Sequence, residues 1–293
     1  MSTLSELLTQ HACLVADGAW GTELTRHGLG PGEAPEGWNL AHPHLVRDVA
    51  RSYVAAGAQI ILTNTFGGSP LKLQRVGLTD DVALLNRAGA RLSREAAGDE
   101  ALVFGSIGPT GEFMRPLGLI GEDEMQAGFG EQVRALVEGG VDGFVIETMS
   151  DLGEALAALR AVREHSCLPA VVSMTFDHGP GGYATIMGVK PERAARELTA
   201  AGADVVGANC GAGADTILGA ISEMAGHTSL PLWAKPNAGL PVLVAGYTVF
   251  RETPDEMAAR APALRAAGAR IIGGCCGSTP AHIRALAAAL RGN

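Results

Sequence analysis

Eight short apolar runs alternate along the chain with eight longer amphipathic stretches, and this alternation predicts an α/β fold, a (β/α)8 barrel of the TIM type. The runs are rich in Val and Ile and apolar at consecutive positions, which is typical of parallel strands covered on both faces. A length of 293 residues with 47% hydrophobic residues suffices for one large core. A doubly wound open sheet is the alternative, but eight regular units without a composition break favour a single closed domain over residues 1–293.

The predicted strands and helices follow one another in regular order. The strands are Leu14–Gly18, Gln59–Thr65, Leu102–Gly108, Gly143–Thr148, Ala170–Phe176, Val205–Cys210, Leu232–Asn237 and Arg270–Cys275. The helices that follow them are Pro43–Ala56, Val82–Ala97, Glu124–Glu138, Asp151–Glu164, Pro191–Ala201, Asp215–Met224, Pro254–Ala267 and Pro280–Leu290. Four helices run into the junctions AAGAQ, EGGVD, AAGAD and AAGAR, where a glycine is expected to end the helix.

Composition and charge exclude several classes of protein. A net charge of -9 argues against nucleic acid or an anionic membrane surface as the partner. No run reaches the roughly 18 apolar residues that span a bilayer. The N-terminal sequence MSTLSELLTQHACL lacks the basic start and apolar centre of a signal peptide. Five cysteines, an odd number, fit a reducing compartment better than a disulfide framework, so we expect a cytoplasmic protein.

Polar residues stand where the predicted strands end, and a barrel brings these ends together at one mouth. The long segments Arg26–Asn39 and Gly111–Gly121 follow strands and are expected at the same face. The strand-end residues are Asp17, Thr63-Asn64-Thr65, Gly108-Pro109, Glu147-Thr148, Asn209-Cys210, Asn237 and Cys275-Cys276. This set is acidic, polar and rich in thiols, which predicts a functional site at the mouth.

Three of the cysteines make the strongest candidate for that site. Cys275 and Cys276 follow Gly273-Gly274, and glycines let the backbone bend so that adjacent thiols can face the same way. Cys210 ends another predicted strand. Three thiolates from two strand ends predict a zinc site whose fourth position is open, the catalytic rather than the structural pattern.

Other interpretations of these residues are weaker. Free cysteines are often small buried hydrophobes, which is what we expect of Cys13 and Cys167 before their strands. A strained vicinal disulfide between Cys275 and Cys276 is a minor alternative. A cysteine nucleophile is weaker still, since no acidic or histidine pair stands beside them to activate it. A phosphate site at Gly273-Gly274 is disfavoured because no Lys or Arg follows.

Asp17 and Glu147 are carboxylates at the ends of apolar strands. Either they cap a strand or pair with a buried arginine, or they bind a ligand's ammonium group, since a buried carboxylate needs a partner. Asn64, Asn209 and Asn237 either cap loops or orient the site and support a metal's ligands.

Seven motifs resemble the homocysteine S-methyltransferase family over essentially the whole chain. They are DGAWGTEL at Asp17–Leu24, AGAQIILTNTFGGS at Ala56–Ser69, GSIGPTGE at Gly105–Glu112, IETMSD at Ile146–Asp151, GANCG at Gly207–Gly211, KPNAG at Lys235–Gly239 and GGCCGSTP at Gly273–Pro280. The chain is similar to the homocysteine-binding barrel of cobalamin-dependent methionine synthase and to short bacterial betaine–homocysteine methyltransferases. The segment Ala34–Leu40 favours the latter group.

The resemblance implies a homocysteine-binding barrel domain over residues 1–293 that makes methionine by in-line methyl transfer. It implies that Cys210, Cys275 and Cys276 bind Zn²⁺ and that homocysteine sulfur takes the open position. It further implies that Asp17, Gly18 and Glu147, with Asn209 and Asn237, hold the substrate.

The resemblance leaves the methyl donor open. Betaine is favoured over a methylcorrinoid protein or S-methylmethionine, with Trp38 and Trp20 offering π-faces to a cationic donor. Vertebrate-type betaine enzymes place tyrosines where this chain has Gly67 and Thr148, so that cage is incomplete. A non-catalytic thiol- or zinc-binding module is the hypothesis from another class. The sequence does not give the oligomeric state and is compatible with a homo-oligomer.

Overall fold

Eight parallel strands form a nearly closed barrel, as the alternating pattern predicted. The computed structural model describes residues 3–244 and 247–291. The barrel strands are Leu14–Val15, Ile60–Leu62, Leu102–Ile107, Gly143–Met149, Ala170–Met174, Val205–Cys210, Leu232–Pro236 and Ala269–Ile272. From the second to the eighth, each strand pairs with its neighbour in the chain, and the first pairs with the eighth through Leu14↔Ile271 and Val15↔Ile272.

The seam between the first and second strands is the weakest junction of the barrel. A single parallel bridge, Ala16↔Ile60, joins them. The amide of Asp17 donates to the Ile60 carbonyl at 2.9 Å, and that of Gln59 donates to the Val15 carbonyl at 2.8 Å. These bonds close the barrel directly beneath Asp17.

The outer helices begin and end within two residues of the predicted bounds. They are Pro43–Ala55, Val82–Ala97, Glu122–Gly139, Leu152–His165, Pro191–Ala200, Ala214–Ala225, Pro254–Ala266 and Pro280–Arg291. The glycine junctions are confirmed, because Gly57, Gly140, Gly202 and Gly268 have φ of 98°, 88°, 91° and 109°. Such left-handed backbone is open to glycine at little cost, which is why the helices end there.

Smaller elements that the sequence pattern did not predict decorate the barrel. Short helices cover Leu4–Gln10, Gly21–Arg26, Trp38–Ala41 and Pro70–Gln74, and 3-10 turns cover Pro35–Gly37 and Thr79–Asp81. Two hairpins follow the fifth and seventh barrel strands: Asp177–Gly179 with Gly182–Ala184, and Val242–Val244 with Tyr247–Val249. None of the helices in the described part of the chain is long and apolar enough to cross a membrane.

The barrel interior changes from apolar to polar towards the carboxyl ends of the strands. Its buried apolar layer includes Phe104, Val145, Val171, Val205 and Trp233. Since residues two apart on a strand share a face, the next inward positions lie above that layer. They are Ser106, Glu147, Ser173 and Lys235, joined on the sixth strand by Asn209, which lies four residues beyond Val205 with Gly207 between them. All five are buried and polar. This polar layer is the floor of the functional site.

Candidate active site

A cavity of about 590 Å³ opens above the polar layer, within the roughly 300–1,000 Å³ typical of ligand pockets. Its floor and inner walls include Gly18, Ser106, Glu147, Thr148, Cys210, Lys235, Cys275 and Cys276. Its outer walls include Trp20, Glu36, Phe66, Lys72, Leu73, Arg75 and Val76. The cavity therefore joins the strand-end residues to the two insertions that follow the first and second strands.

The three predicted metal ligands come together at the inner end of this cavity. The sulfurs of Cys210, Cys275 and Cys276 lie within 4.8 Å of one another. Sulfurs bound tetrahedrally at a zinc–sulfur distance of about 2.3 Å would stand roughly 3.8 Å apart, so the spacing fits such an ion. The donor set is soft and can hold an ion while leaving a further position towards the cavity.

A tight turn brings the adjacent cysteines to one side. The eighth strand ends at Ile272, and the amide of Ser278 donates to the Cys275 carbonyl at 3.1 Å. Gly277, the third residue of this turn, has a φ of 81°, which a type II turn requires. The expectation that a glycine-assisted bend brings both thiols to one site is confirmed by the cluster.

Asn209 ties two unusual backbone positions to the cluster of thiols. Thr148 and Cys210 have left-handed φ of 62° and 67°, which non-glycine residues adopt only when their surroundings enforce it. The Asn209 Oδ1 accepts hydrogen bonds from the Thr148 amide at 2.9 Å and from Ser173 Oγ at 2.7 Å. Its Nδ2 donates to Thr148 Oγ1 at 2.7 Å and lies 3.8 Å from the Cys275 sulfur.

We expect Asn209→Asp to lower metal affinity by about 10- to 100-fold, the usual effect of changing a group that orients a metal ligand. Aspartate keeps the acceptor for Thr148 and Ser173 but replaces the donor that faces the Cys275 sulfur with a negative charge. Competition with a chelating dye measures the affinity. Ser173→Ala is the matched control, because it removes one bond to Asn209 without touching sulfur. Equal affinities for Asn209→Asp and the unaltered protein would contradict this role.

The three thiols cannot all be ionised without an added positive charge. Hydrogen bonds from Cys275 and Cys276 lower the pKa of Cys210, while the hydrogen bond to Cys210 raises the pKa of Cys275 to about 11. The pKa of Cys276 is raised in the same way. One thiolate is thus favoured and repels the next, so a cation is needed to hold three.

Glu147 supplies a buried carboxylate in the same floor. Its Oε1 accepts a hydrogen bond from Ser106 Oγ at 2.6 Å. Burial raises its pKa to about 7, an effect that the nearby Lys235 ammonium opposes. The carboxylate lines the cavity without an ion pair within 4.0 Å among the described residues, which suits it to a ligand's ammonium group.

Asp17 lies beneath the cavity rather than in its lining, and its contact with substrate stays a prediction. Its Oδ1 accepts from Lys235 Nζ at 2.6 Å, and its Oδ2 accepts from Trp20 Nε1 at 2.9 Å and the Leu62 amide at 2.7 Å. Asp17 is fully buried, so these partners occupy both of its oxygens. It is the partner of a buried cation, one of the two roles weighed from the sequence, although that cation is lysine rather than arginine.

The asparagines serve the loops around the site. Asn237 Nδ2 donates to the Gly211 carbonyl at 2.8 Å, and a hydrogen bond from Asn237 also contributes to the lowered pKa of Cys210. Asn64 Nδ2 donates to the Pro35 carbonyl at 2.7 Å. Asn209 and Asn237 do not line the cavity, and both contact the cysteines from behind it; their contact with substrate stays a prediction.

The two tryptophans differ in what they can contact. Trp20 lines the cavity, with its Nε1 held by Asp17. Trp38 does not line it; it is 7% exposed, and its ring packs 4.5 Å from the His42 ring, centroid to centroid. Trp38 therefore packs within the insertion, and Trp20 is the tryptophan that lines the cavity; the contact of either ring with a methyl donor stays a prediction.

The remaining cysteines lie away from the cluster. All five cysteines are free, and Cys13 is half-buried. The prediction of a buried position is wrong for Cys167, which is exposed. It precedes a strand but stands in the loop after the helix Leu152–His165, where the chain has already reached the surface.

Sequence reasoning missed three residues of the cavity. Lys235 is the first residue of the motif KPNAG and ends an apolar run, the signal used for Glu147, yet it received no role. Glu36 and Phe66 belong to loops whose course the sequence does not give. Glu36 is 4% exposed, and its Oε1 accepts from the Gly67 amide at 2.6 Å.

Comparison with known proteins identifies the family of the chain. The family model described as homocysteine S-methyltransferase matches residues 14–290. The methionine synthases of Mycobacterium tuberculosis and Mycobacterium leprae are each 30% identical over 305 residues, covering 98% of this chain but 25% of theirs. The chain thus spans about a quarter of the length of these curated relatives.

A solved structure of similar length has the same fold. The metallated form of the homocysteine methyltransferase MmuM from Escherichia coli is 27% identical, with a TM-score of 0.81 over 96% of this chain and 98% of that one. Its oxidised form has a TM-score of 0.83 at the same identity, over 98% of this chain and 99% of that one. The match of the family model across nearly the whole chain settles the assignment: the chain belongs to the homocysteine S-methyltransferase family.

Proposed function

We propose that this chain transfers a methyl group to the sulfur of homocysteine and so makes methionine. The observation that carries the proposal is the cluster of three thiols at the inner end of a cavity whose floor also holds the buried carboxylate of Glu147. The binding of an amino acid that carries a thiol requires both features. The cluster of thiols lies near its sulfur, and the carboxylate lies near its ammonium group. Membership of the family supports the same reaction.

We further propose that Cys210, Cys275 and Cys276 hold Zn²⁺. When bound, zinc would keep the substrate thiol, whose ordinary pKa is about 8.5, as a nucleophilic thiolate at neutral pH. On binding the ion, the three cysteines and the substrate thiol would release their protons to solvent, so no separate protein base is required. Asn209 orients Cys275, and the left-handed backbone at Cys210 turns its sulfur towards the other two.

The protein's own residues prepare the reaction by position and by exclusion of water. Glu147 binds the substrate ammonium, with Ser106 fixing the carboxylate from the other side. The walls contributed by Trp20, Phe66 and Leu73 are apolar, which limits solvation of the attacking sulfur and of a cationic donor alike. Methyl transfer then needs the donor carbon in line with the sulfur, which the outer part of the cavity would enforce.

We propose betaine as the favoured donor, because the outer cavity suits a small cation. The faces of Trp20 and Phe66 attract a quaternary ammonium or sulfonium group. Glu36 adds a buried carboxylate that forms no ion pair within 4.0 Å among the described residues and sits against Gly67. In this proposal these groups take the place of the aromatic cage that lacks its tyrosines at Gly67 and Thr148. S-methylmethionine is also a cation and would be attracted by the same carboxylate of Glu36.

A methylcorrinoid protein is the second candidate, and a different observation favours it. Of the fourteen large hydrophobic residues that are exposed in the described ranges, twelve lie in segments joining a barrel strand to its outer helix. The most exposed surround the mouth: Leu117, Leu119, Ile186, Leu240 and Leu243. An apolar rim of this kind is typical of a protein-binding surface, and the longer relatives are methionine synthases.

A donor screen separates these possibilities. Zinc-loaded protein is incubated with homocysteine and either betaine, S-methylmethionine or methylcobalamin, and methionine is quantified. We expect betaine to give the highest rate. Glu36→Gln should lower kcat/KM for cationic donors by about tenfold, as expected for the loss of one charged contact, and leave the rate with methylcobalamin unchanged.

The other outcomes have distinct meanings. Turnover only with methylcobalamin would replace betaine by a corrinoid donor. Tight binding of homocysteine without turnover of any donor would identify a thiol- or zinc-binding module. If Glu36→Gln lowered kcat/KM equally for all donors, Glu36 would stabilise its loop without contacting the donor.

A further inference from the structure

Lys235 places an ammonium group in the cavity floor, although lysine is among the residue types least often buried. Its side chain is 2% exposed, and it lines the same cavity as Glu147 and the three cysteines. Its strand, Leu232–Pro236, points Trp233 into the apolar interior one layer below. A cation at this depth is costly to desolvate, so its contacts should account for it.

The contacts of Lys235 satisfy only part of its hydrogen-bonding capacity. Its Nζ donates to Asp17 Oδ1 at 2.6 Å and lies 5.6 Å from the centre of the Trp233 ring. An ammonium has three N–H donors, so this one bond leaves the others for a ligand in the cavity. Asp17 is itself fixed by Trp20 and Leu62, and it holds Lys235 in place.

We propose that Lys235 binds the carboxylate of the thiol substrate, while Glu147 binds its ammonium group. This inference rests on the proposed function, in which the acceptor is homocysteine. The head of an amino acid carries opposite charges on neighbouring groups, and the cavity floor offers an ammonium and a carboxylate as their complements. Asp17 acts through Lys235 and is a positioning residue.

The electrostatics of the floor support this division. Burial would lower the pKa of Lys235, but the charges of Asp17 and Glu147 outweigh it and raise that pKa, so the side chain stays charged. Because Asp17 and Lys235 form an ion pair of zero net charge, Glu147 remains the carboxylate that attracts the substrate ammonium. Thiols that carry both head groups should therefore be selected over simple thiols.

Substrate analogues test this assignment. The first, 3-mercaptopropylamine, is homocysteine without its carboxylate; the second, 4-mercaptobutyrate, lacks the ammonium. Dissociation constants for zinc-loaded protein are measured by calorimetry, and kcat/KM is measured with the best donor. We expect the unaltered protein to bind homocysteine about 10- to 100-fold more tightly than 3-mercaptopropylamine, as a charged hydrogen bond implies.

The variants remove the proposed contact from the protein side. Lys235→Met alone leaves the buried Asp17 carboxylate without its cationic partner, so the double variant Asp17→Asn with Lys235→Met removes both charges. In the double variant, homocysteine should bind no more tightly than 3-mercaptopropylamine, whose own affinity should change less than threefold. Circular dichroism and zinc content confirm that the variant is folded and loaded.

Two results would overturn the assignment. If the double variant weakens both thiols by the same factor, Lys235 supports the site without touching the carboxylate. If the unaltered protein binds both thiols equally, the carboxylate has no partner at all. A protein that binds homocysteine but transfers no methyl group would refute the proposed function. The comparison of dissociation constants would still decide whether Lys235 binds the carboxylate, because it measures binding and not turnover.

Discussion

Replacing Cys276 with alanine should abolish both metal binding and methyl transfer. Of the three sulfurs that lie within 4.8 Å of one another, two would remain, too few to hold zinc against water. Replacing a residue that only hydrogen-bonds to a metal ligand lowers metal affinity by roughly 10- to 100-fold. We expect a larger loss when the ligand itself is removed. Methionine formation should fall below detection. Zinc per chain is measured by mass spectrometry and activity by methionine release.

The control for Cys276→Ala is another cysteine of the same chain. Cys167 is exposed and distant from the cluster, so Cys167→Ala should keep about one zinc per chain and full activity. If Cys276→Ala retained its zinc, the cluster would not be the metal site. If it lost zinc but still formed methionine, the metal would be structural and the reaction would proceed without it.

Replacing Glu147 with glutamine should weaken homocysteine binding by about 10- to 100-fold, because a charged hydrogen bond to the substrate ammonium becomes a neutral one. Zinc content should not change. Glutamine fills the same space, and its oxygen can still accept from Ser106. Burial raises the pKa of Glu147 to about 7, so the ionised carboxylate opposes folding at pH 8 and glutamine does not. The variant should therefore be no less stable at that pH.

Glu154→Gln is the matched control for Glu147→Gln. Glu154 is also buried with a raised pKa, but its Oε1 accepts from Thr110 at 2.7 Å and it does not line the cavity. Glu154→Gln should therefore leave the dissociation constant for homocysteine unchanged. Calorimetry gives the dissociation constants. An equal fall in zinc content and in homocysteine binding for Glu147→Gln would show that Glu147 supports the metal and not the substrate.

The barrel could be predicted because its signals are local. Runs of Val and Ile and glycines at helix ends act over a few residues, and the outer helices matched within two residues. Six of the eight strand ends were placed too late. The second strand ends at Leu62, not Thr65, because the Ser106 amide of the third strand donates to the Thr63 hydroxyl instead of a backbone carbonyl, and the Asn64 side chain donates to Pro35 in a loop. The hairpin Asp177–Ala184 has three-residue strands rich in Gly, which leave no alternating pattern.

The site was predictable where side-chain chemistry alone identifies a residue. Three thiols and a carboxylate at strand ends can be recognised from the sequence, since metal or ligand binding is the role that best suits these groups at that place. The pairing of Asp17 with Lys235 joins residues 218 positions apart and depends on which faces turn inward across the barrel. The packing of Trp38 depends on the course of an insertion that carries no repeating pattern. Contacts of this kind follow only from the assembled fold.

The pairing of the first strand with the eighth has a consequence for how the protein matures. Asp17 comes from one end of the chain and Cys275 and Cys276 from the other, and Gly274 donates from its amide to the Asp17 carbonyl at 2.9 Å. The paired thiols and the residue that fixes Lys235 therefore meet only when the last strand closes the ring. The proposed zinc ion would find its full set of ligands only after that step, so we expect metal loading to follow barrel closure.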